Sequence, residues 1–153
     1  MQKVNDQEVM ELREFASYTD LQVAHQKDVN EFPMIFMFGK KTDDEIKTEL
    51  AKIGAKKLAE CVHIGAGAIM KKADVPVWAA LCKRHEAEKK LFTETETNLV
   101  QMIYSEMCNH EYGYTCDSYD TLQALGKTEN DFRTDERFLN AWKKAERRCF
   151  AKA

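Results

Sequence analysis

The chain has 153 residues, of which 44% are apolar and 32% charged, and its formal net charge is −3. This length and composition are typical of one globular domain with its own core. The charge balance argues against direct nucleic-acid binding, because surfaces that bind nucleic acid are strongly basic. No apolar run approaches the ~20 residues that cross a bilayer, and no signal-peptide pattern opens the chain. We therefore expect a cytoplasmic protein without membrane contact, and its five cysteines, none in a C-x-x-C pair, are expected to be reduced.

The first third of the chain predicts two helices and a strand. Residues 5–17 have helical spacing. Residues 18–31 are polar with weak periodicity and are expected to form a connector, either without regular structure or with one helical turn at 21–24. Residues 33–38 are short, aromatic and apolar on both faces, which predicts a strand that is either covered on both sides or packed under a helix. Thr42 with Glu45 forms a capping-box pattern that predicts the start of a helix.

Gly54 is expected to end that helix, and a second strand signal follows it. Residues 58–63 alternate as a strand does, and the apolar pattern continues through Gly65 and Gly67 to Met70. We expect a bulged hairpin here. The alternative is a phosphate-binding loop, but the third glycine of a dinucleotide fingerprint is missing.

The centre of the chain is dominated by helical spacing. Asp74 and Pro76 are typical of a helix start. From there residues 75–109 predict one long helix, or two helices with a break near 93–97, where threonines lower the helix propensity.

Two further helices are expected after the long one. Asp117 or Ser118 predicts the start of a short helix that ends at Gly126, and residues 135–150 predict a last helix. The expected fold class is therefore α+β in a single domain, residues 1–153. A small antiparallel sheet from residues 33–39 and 57–71 would pack on the long central helix, with shorter flanking helices.

Residues 109–117 contain the densest set of potentially reactive side chains. His110 and Glu106 are four apart and so share a helix face, where the carboxylate can orient the imidazole. With Glu111 they are the candidates for acid–base catalysis. A nucleophile elbow and an H-E-x-x-H motif are both missing, which makes a non-enzymatic protein the favoured interpretation.

Cysteine and histidine also occur in pairs that resemble zinc ligands. Cys61 and His63 would face the same side of a strand, and Cys108 and His110 are spaced similarly, with Cys116 nearby. On a helix, however, positions 108 and 110 diverge by about 200°. We therefore expect neither a metal nor another cofactor.

Most of the same residues also suit a structural corner between two helices. Asn109 is suited to a left-handed helix end, and Asp117 and Asp120 are suited to turns and caps. Tyr112 and Tyr114 are expected to bury their rings and keep their hydroxyls bonded.

The pattern N-H-E-Y-x-Y-T-x-D-x-x-D-T-L-x-A-L-G, residues 109–126, resembles a family of small uncharacterised proteins found in bacteriophages, prophages and mobile elements. Looser similarity covers residues 33–131, the family-like core, between the N-terminal residues 1–31 and the helix 135–150. The chain departs from the family after Phe38, and Cys61, Cys108 and Cys116 lie outside the pattern. The resemblance implies an accessory protein acting inside the bacterial host. The candidate binding residues are those of the motif: Asn109, His110, Glu111, Tyr112, Tyr114, Asp117 and Asp120.

Three functions follow as hypotheses. The first is a non-enzymatic protein that binds and modulates a host protein, including inhibition of a defence system. The second is a small-ligand or nucleotide-binding protein, or a hydrolase, that uses His110, Glu106, Glu111 and His63. The third is a structural or assembly protein that forms a homo-oligomer through the long helix.

Overall fold

The computed structural model describes residues 11–151, and these form two compact units. One unit contains the residues up to Val23 together with those from Ala87 onward, and the other is Ala24–Glu86. The sequence predicted a single domain, and this stays a prediction. The elements in chain order are α1 (Tyr18–Glu31), β1 (Ile35–Phe36), α2 (Asp43–Lys52), β2 (Cys61–Gly65), β3 (Ala68–Lys71), α3 (Val75–Phe92), α4 (Glu96–Asn109), α5 (Tyr112–Thr115), α6 (Tyr119–Ala124), α7 (Asp131–Thr134) and α8 (Glu136–Ala151).

The predicted α+β class is confirmed. The sheet is antiparallel throughout, with β3 in the centre and β1 and β2 at its edges. In the unit Ala24–Glu86, α2 and the sheet share one hydrophobic cluster. The buried members of this cluster are Ile35, Leu50, Ile53, Ala55 and Ile69. No helix in the described residues is both long and apolar enough to span a membrane.

The first strand is shorter than predicted. Only Ile35 and Phe36 pair with β3, and the strand is covered on one face alone, since Ile35 is buried whereas Phe36 is 54% exposed. Of the two expected arrangements, coverage on both sides is therefore wrong, and packing under a helix is the one that is present, since Ile35 shares its cluster with α2. The exposed rings of Phe36 and Phe38 instead stack on each other, with centroids 6.5 Å apart.

The hairpin between β2 and β3 is bulged, as predicted. The strand register shifts between His63 and Gly65, and the turn residues Gly65, Ala66 and Gly67 all have positive φ. Residues 58–60 form a turn of 3₁₀ helix, so the strand begins three residues later than the alternation indicated. The loop joins two strands. A dinucleotide-binding loop instead joins a strand to a helix, so the loop does not have the required connection.

The helix predictions for the N-terminal residues are wrong where they can be compared. Residues 11–17 are not helical, and the rest of the helix predicted for 5–17 lies outside the described residues. The predicted connector, in contrast, is the helix α1. Its buried side chains are Tyr18, Leu21 and His25, which have helical spacing although two of them are polar.

The helix predictions between residues 42 and 109 agree with the structure. Thr42 caps α2 by accepting from the amide of Glu45 at 3.2 Å, and Gly54 follows it with φ +72°. The region 75–109 is broken as the threonines indicated, because Thr95 caps α4 by accepting from the amide of Asn98 at 3.3 Å. The predicted long central helix is therefore two helices, α3 and α4.

The core of the other unit lies between α4 and α8, and α5 and α6 complete it. Phe138 and Trp142 of α8 are buried in this core. Asp135 caps α8 by accepting from the amide of Phe138 at 3.0 Å. The buried members of this core are Leu99, Ile103, Met107, Tyr112, Leu122, Phe138, Ala141, Trp142 and Ala145.

Candidate functional site

Glu106 of α4 is the centre of a buried hydrogen-bonded cluster. Its side chain is only 8% exposed. One carboxylate oxygen, Oε1, accepts from the Tyr18 hydroxyl at 2.6 Å and from Nε2 of Gln22 at 3.3 Å. The other, Oε2, lies 3.4 Å from Nε2 of His110. We call these four residues the Glu106 cluster.

The start of α1 positions the two donors from the N-terminal region. The amide of Tyr18 donates to the side-chain oxygen of Gln101 at 2.8 Å, and its ring lies 6.3 Å from that of Phe92. Leu21 is buried in the same small hydrophobic group. These contacts fix the first turn of α1 beside α4, so that the Tyr18 hydroxyl reaches Glu106.

The electrostatics of the cluster favour a neutral phenol. Burial, followed by the hydrogen bond and charge of Glu106, raises the pKa of Tyr18 far above its ordinary value. Tyr18 is therefore a permanent donor at neutral pH. Both oxygens of Glu106 have partners, as a buried carboxylate needs if its desolvation is to be offset. A carboxylate held in this way suits a structural role better than proton transfer.

The predicted pairing of His110 with Glu106 is present, but the helix end differs from the expectation. Asn109 remains in α4, and Glu111 adopts the left-handed conformation with φ +55°. The one-turn helix α5 follows and ends at Cys116, which is also left-handed with φ +54°. The left-handed residue at this helix end therefore lies two positions later than the sequence indicated, whereas the helix itself covers the predicted residues up to 109.

The two tyrosines of α5 have opposite environments. Tyr112 is buried, and its hydroxyl donates to Oε2 of Glu146 at 2.7 Å, an oxygen that also accepts from Nε1 of Trp142 at 3.2 Å. Tyr114 is 92% exposed, so the expectation that it buries its ring is wrong. Residues two apart on a helix diverge by about 200°, and only one of them can face α8.

The middle of the motif, residues 115–119, forms a tight turn on the surface. The hydroxyl of Thr115 accepts from the amide of Asp117 at 3.1 Å, and Oδ1 of Asp117 accepts from the amide of Tyr119 at 3.0 Å. Tyr119 itself is 67% exposed. The same stretch has exposed acidic side chains at 111, 117 and 120. We call Glu111, Tyr114, Asp117, Tyr119 and Asp120 the tyrosine corner.

The residues considered as zinc ligands have other surroundings. Cys61 is half-buried and packs against the cluster of the sheet unit, where burial raises the pKa of its thiol. His63 is exposed on the same strand. Cys108 is exposed at the end of α4, and His110 faces Glu106. A raised thiol pKa disfavours the thiolate that zinc binds.

A family model matches residues 17–148. The chain belongs to DUF7659, a family of unknown function. The DUF7659 match is longer than the region 33–131 that the sequence pattern indicated, and it contains the whole Glu106 cluster and the tyrosine corner. Comparison with curated proteins and with solved structures gives no match.

Three side chains of these sites were missed in the sequence. Tyr18 and Gln22 are far from Glu106 in the chain, and no spacing rule connects them. Tyr119 lies within the motif at a position that the pattern leaves open, and its exposure could have been inferred from the turn that Asp117 begins.

Proposed function

We propose that this DUF7659 protein is a non-enzymatic accessory protein of a phage or other mobile element. It binds a host bacterial protein inside the cell and modulates it, and inhibition of a host-defence system is one form of that activity. The observation that supports this proposal is the tyrosine corner, where two large aromatic side chains are exposed on a fixed backbone.

The exposure of the tyrosines is the first step. Tyr114 is 92% and Tyr119 is 67% exposed. Tyrosine is enriched among the residues that dominate protein interfaces, because it buries a large ring at a low cost in side-chain entropy and keeps a polar hydroxyl. The two exposed tyrosines, five positions apart, are therefore the contact residues of the proposed surface.

The rigidity of the backbone is the second step. Glu111 and Cys116 hold the two ends of α5 in left-handed conformations, and the buried Tyr112 anchors the middle. Asp117 then fixes the following turn through the amide of Tyr119. A surface that is already ordered loses little entropy on binding.

The acidic charge of the tyrosine corner indicates what charge its partner should have. Glu111, Asp117 and Asp120 are exposed and acidic. Complementary charge across an interface speeds association and excludes wrong partners. We therefore expect the partner to have a basic surface, with an apolar or aromatic pocket for a tyrosine.

The Glu106 cluster supports the non-enzymatic part of the proposal. His110 and Glu106 are the chemically plausible pair, yet the carboxylate also accepts from Tyr18 and Gln22. This arrangement accounts for the pair by stability alone, because removal of any donor would leave a buried carboxylate poorly solvated.

The test is capture from a bacterial lysate with three forms of the protein. The wild type is compared with the double variant Tyr114→Ala/Tyr119→Ala and with the control Phe36→Ala, which removes an exposed aromatic ring from the sheet. We expect a basic host protein bound by the wild type and the control but lost by the double variant. With the purified partner, the double variant should bind at least about thirty-fold more weakly.

Two results would contradict the proposal. One is a partner that binds the double variant as tightly as the wild type. The other is turnover of a nucleotide or nucleic acid that His110→Ala abolishes while the protein remains folded.

A further inference from the structure

A small cleft lies in the unit Ala24–Glu86, between the end of α1 and the start of α3. Its volume is about 270 Å³. Asp28, Glu31 and Asp74 provide three carboxylates, and Phe32, Val77 and Leu81 provide apolar surface. Lysine and arginine are not among the lining residues. The cleft therefore combines an apolar wall with an anionic one.

The helix end at the cleft adds to its negative potential. The last turn of α1 contains no basic residue and carries Asp28 and Glu31. The C-terminal end of a helix has a partial negative charge, so carboxylates there are unfavourable unless a cation is near. Glu31 does lie 3.9 Å from Lys27, but both side chains are mostly exposed and such pairs contribute little.

Asp28 is held in place at one side of the cleft. Its Oδ2 lies 2.9 Å from Nε2 of His85, and the His85 ring stacks on that of His25 with centroids 3.9 Å apart. The stack limits the movement of His85, and through it that of Asp28. One wall of the cleft is therefore already ordered.

Asp74 provides an independent indication of a ligand. Its Oδ2 is buried, and none of the described residues donates a hydrogen bond to it. A buried carboxylate oxygen without a donor is destabilising, and native proteins rarely leave one in that state. A ligand that brings an N–H donor to Asp74 would remove this cost.

The apolar wall suits the rest of such a ligand. The rings of Phe32 and Trp78 meet edge to face with centroids 5.0 Å apart, which fixes the Phe32 ring. Val77 is 60% exposed beside it. Aromatic rings attract cations, and the aliphatic side chain can cover an apolar body.

We infer that this cleft binds a small organic cation, an ammonium or guanidinium group attached to an apolar body. The cationic group donates to Asp74 and Glu31, and the body lies against Phe32 and Val77. Ligand pockets usually measure about 300–1,000 Å³, so the cleft accommodates a small amine and is too small for a dinucleotide. The same chemistry is supplied by a free amine or by an arginine side chain of a peptide.

Amide NMR titration of the full chain tests this inference. The probes are phenethylammonium and agmatine as free amines, and N-acetylarginine methylamide for an arginine side chain. Hydrocinnamate has the apolar body of phenethylammonium with the opposite charge and is the control ligand. We expect saturable shifts at residues 31–33 and 74–78 with at least one cation and none with hydrocinnamate. Tighter binding of the free amines or of the arginine amide identifies the source of the ligand.

Matched variants locate the charges that are responsible. Asp74→Asn and Glu31→Gln should each weaken cation binding about ten-fold, since each removes a charged hydrogen-bond acceptor. Glu86→Gln, on the exposed part of α3 in the same unit, makes the same change in charge outside the cleft and should have no effect.

The inference is overturned if no cation gives a saturable shift up to about 10 mM. It is also overturned if hydrocinnamate binds as well as phenethylammonium, or if Glu86→Gln weakens binding as much as Asp74→Asn. The comparison of cation with anion uses the wild type, so it decides the question even if a variant fails to fold.

Discussion

Within the Glu106 cluster, loss of the hydrogen bond from Tyr18 to Glu106 should cause the largest decrease in the free energy of unfolding. Replacement by phenylalanine keeps the buried ring and removes only the donor, which lies 2.6 Å from Oε1. Hydrogen bonds to a charged group contribute about 1.5–3 kcal/mol. Gln22 still donates to the same oxygen, but at 3.3 Å. We therefore expect Tyr18→Phe to lower the free energy of unfolding by about 2 kcal/mol.

Urea unfolding measures this loss within the correct unit. In a Trp78→Phe background, the fluorescence reports on Trp142, which lies in the same unit as Tyr18 and Glu106. The control is Tyr119→Phe, the same chemical change at a tyrosine that is 67% exposed. A double-mutant cycle with Glu106→Gln should give a coupling energy of at least about 1 kcal/mol.

Two outcomes would refute this reasoning. A loss below about 0.5 kcal/mol would mean that the hydroxyl contributes no more than a surface group. A loss as large in the Tyr119→Phe control would mean that the effect does not come from the bond to Glu106.

The same bond makes stability depend on pH in the alkaline range. Burial and the neighbouring carboxylate raise the pKa of Tyr18 in the folded state, and Tyr112 beside Glu146 is raised for the same reasons. Above the unfolded pKa of about 10, the unfolded chain loses these protons first. Their contribution is thus fully present below about pH 10 and is lost as the pH rises through the folded pKa values. Tyr18→Phe/Tyr112→Phe should flatten this decline, and an unchanged slope would contradict it.

Two further changes test other features of the structure. Arg13 binds both oxygens of the fully buried Glu88, at 2.8 and 2.9 Å. Arg13→Ala should therefore lower the free energy of unfolding by about 3 kcal/mol, and Arg13→Lys by less, since lysine cannot bind both oxygens in this way. Equal losses for the two variants would refute the two-oxygen geometry. Gly67→Ala and Gly39→Ala both place alanine at positive φ, but only the Cβ at 67 would lie 2.5 Å from the Phe38 ring. Thermal unfolding should therefore show a larger loss at 67, by about 1 kcal/mol, and Phe38→Ala should remove the excess; without an excess, the close approach is incorrect.

The elements that could be predicted from the sequence are those that local chemistry decides. Thr42 caps α2 through an amide three residues away, and Thr95 does the same for α4. Such signals are contained in a few consecutive residues, and tertiary contacts did not override them. The short strand β1 was overestimated because exposed rings such as Phe36 look like core residues in a sequence.

The helix α1 was missed for the opposite reason. Two of its buried side chains, Tyr18 and His25, are polar, so its apolar periodicity is weak although its burial is periodic. Most helical stability in proteins comes from the packing of one face against the rest of the chain. A helix fixed by distant partners, as Tyr18 is by Glu106 and Gln101, leaves little trace in its own sequence.

The candidate site shows the same division. The proximity of His110 to Glu106 follows from a spacing of four on a helix, and it is present. The hydroxyl that binds the other oxygen comes from Tyr18, 88 residues away, and no pattern in the sequence connects the two. The sequence could identify the pair but not the other hydrogen-bond partners of the carboxylate.

The motif that contains His110 therefore divides into an inner and an outer side. On the inner side, Tyr112 is bonded to the distant Glu146 and His110 faces the buried Glu106, so substitutions there should act through the free energy of unfolding. On the outer side, Tyr114 is exposed to solvent, and truncation of its side chain should leave the fold intact. The position of α5 couples the two sides, since one turn of helix between left-handed residues forces Tyr112 inward and Tyr114 outward. The residues that stabilise this corner therefore also determine the exposure of Tyr114. The proposed binding surface thus depends on the same contacts that stabilise the fold at this point.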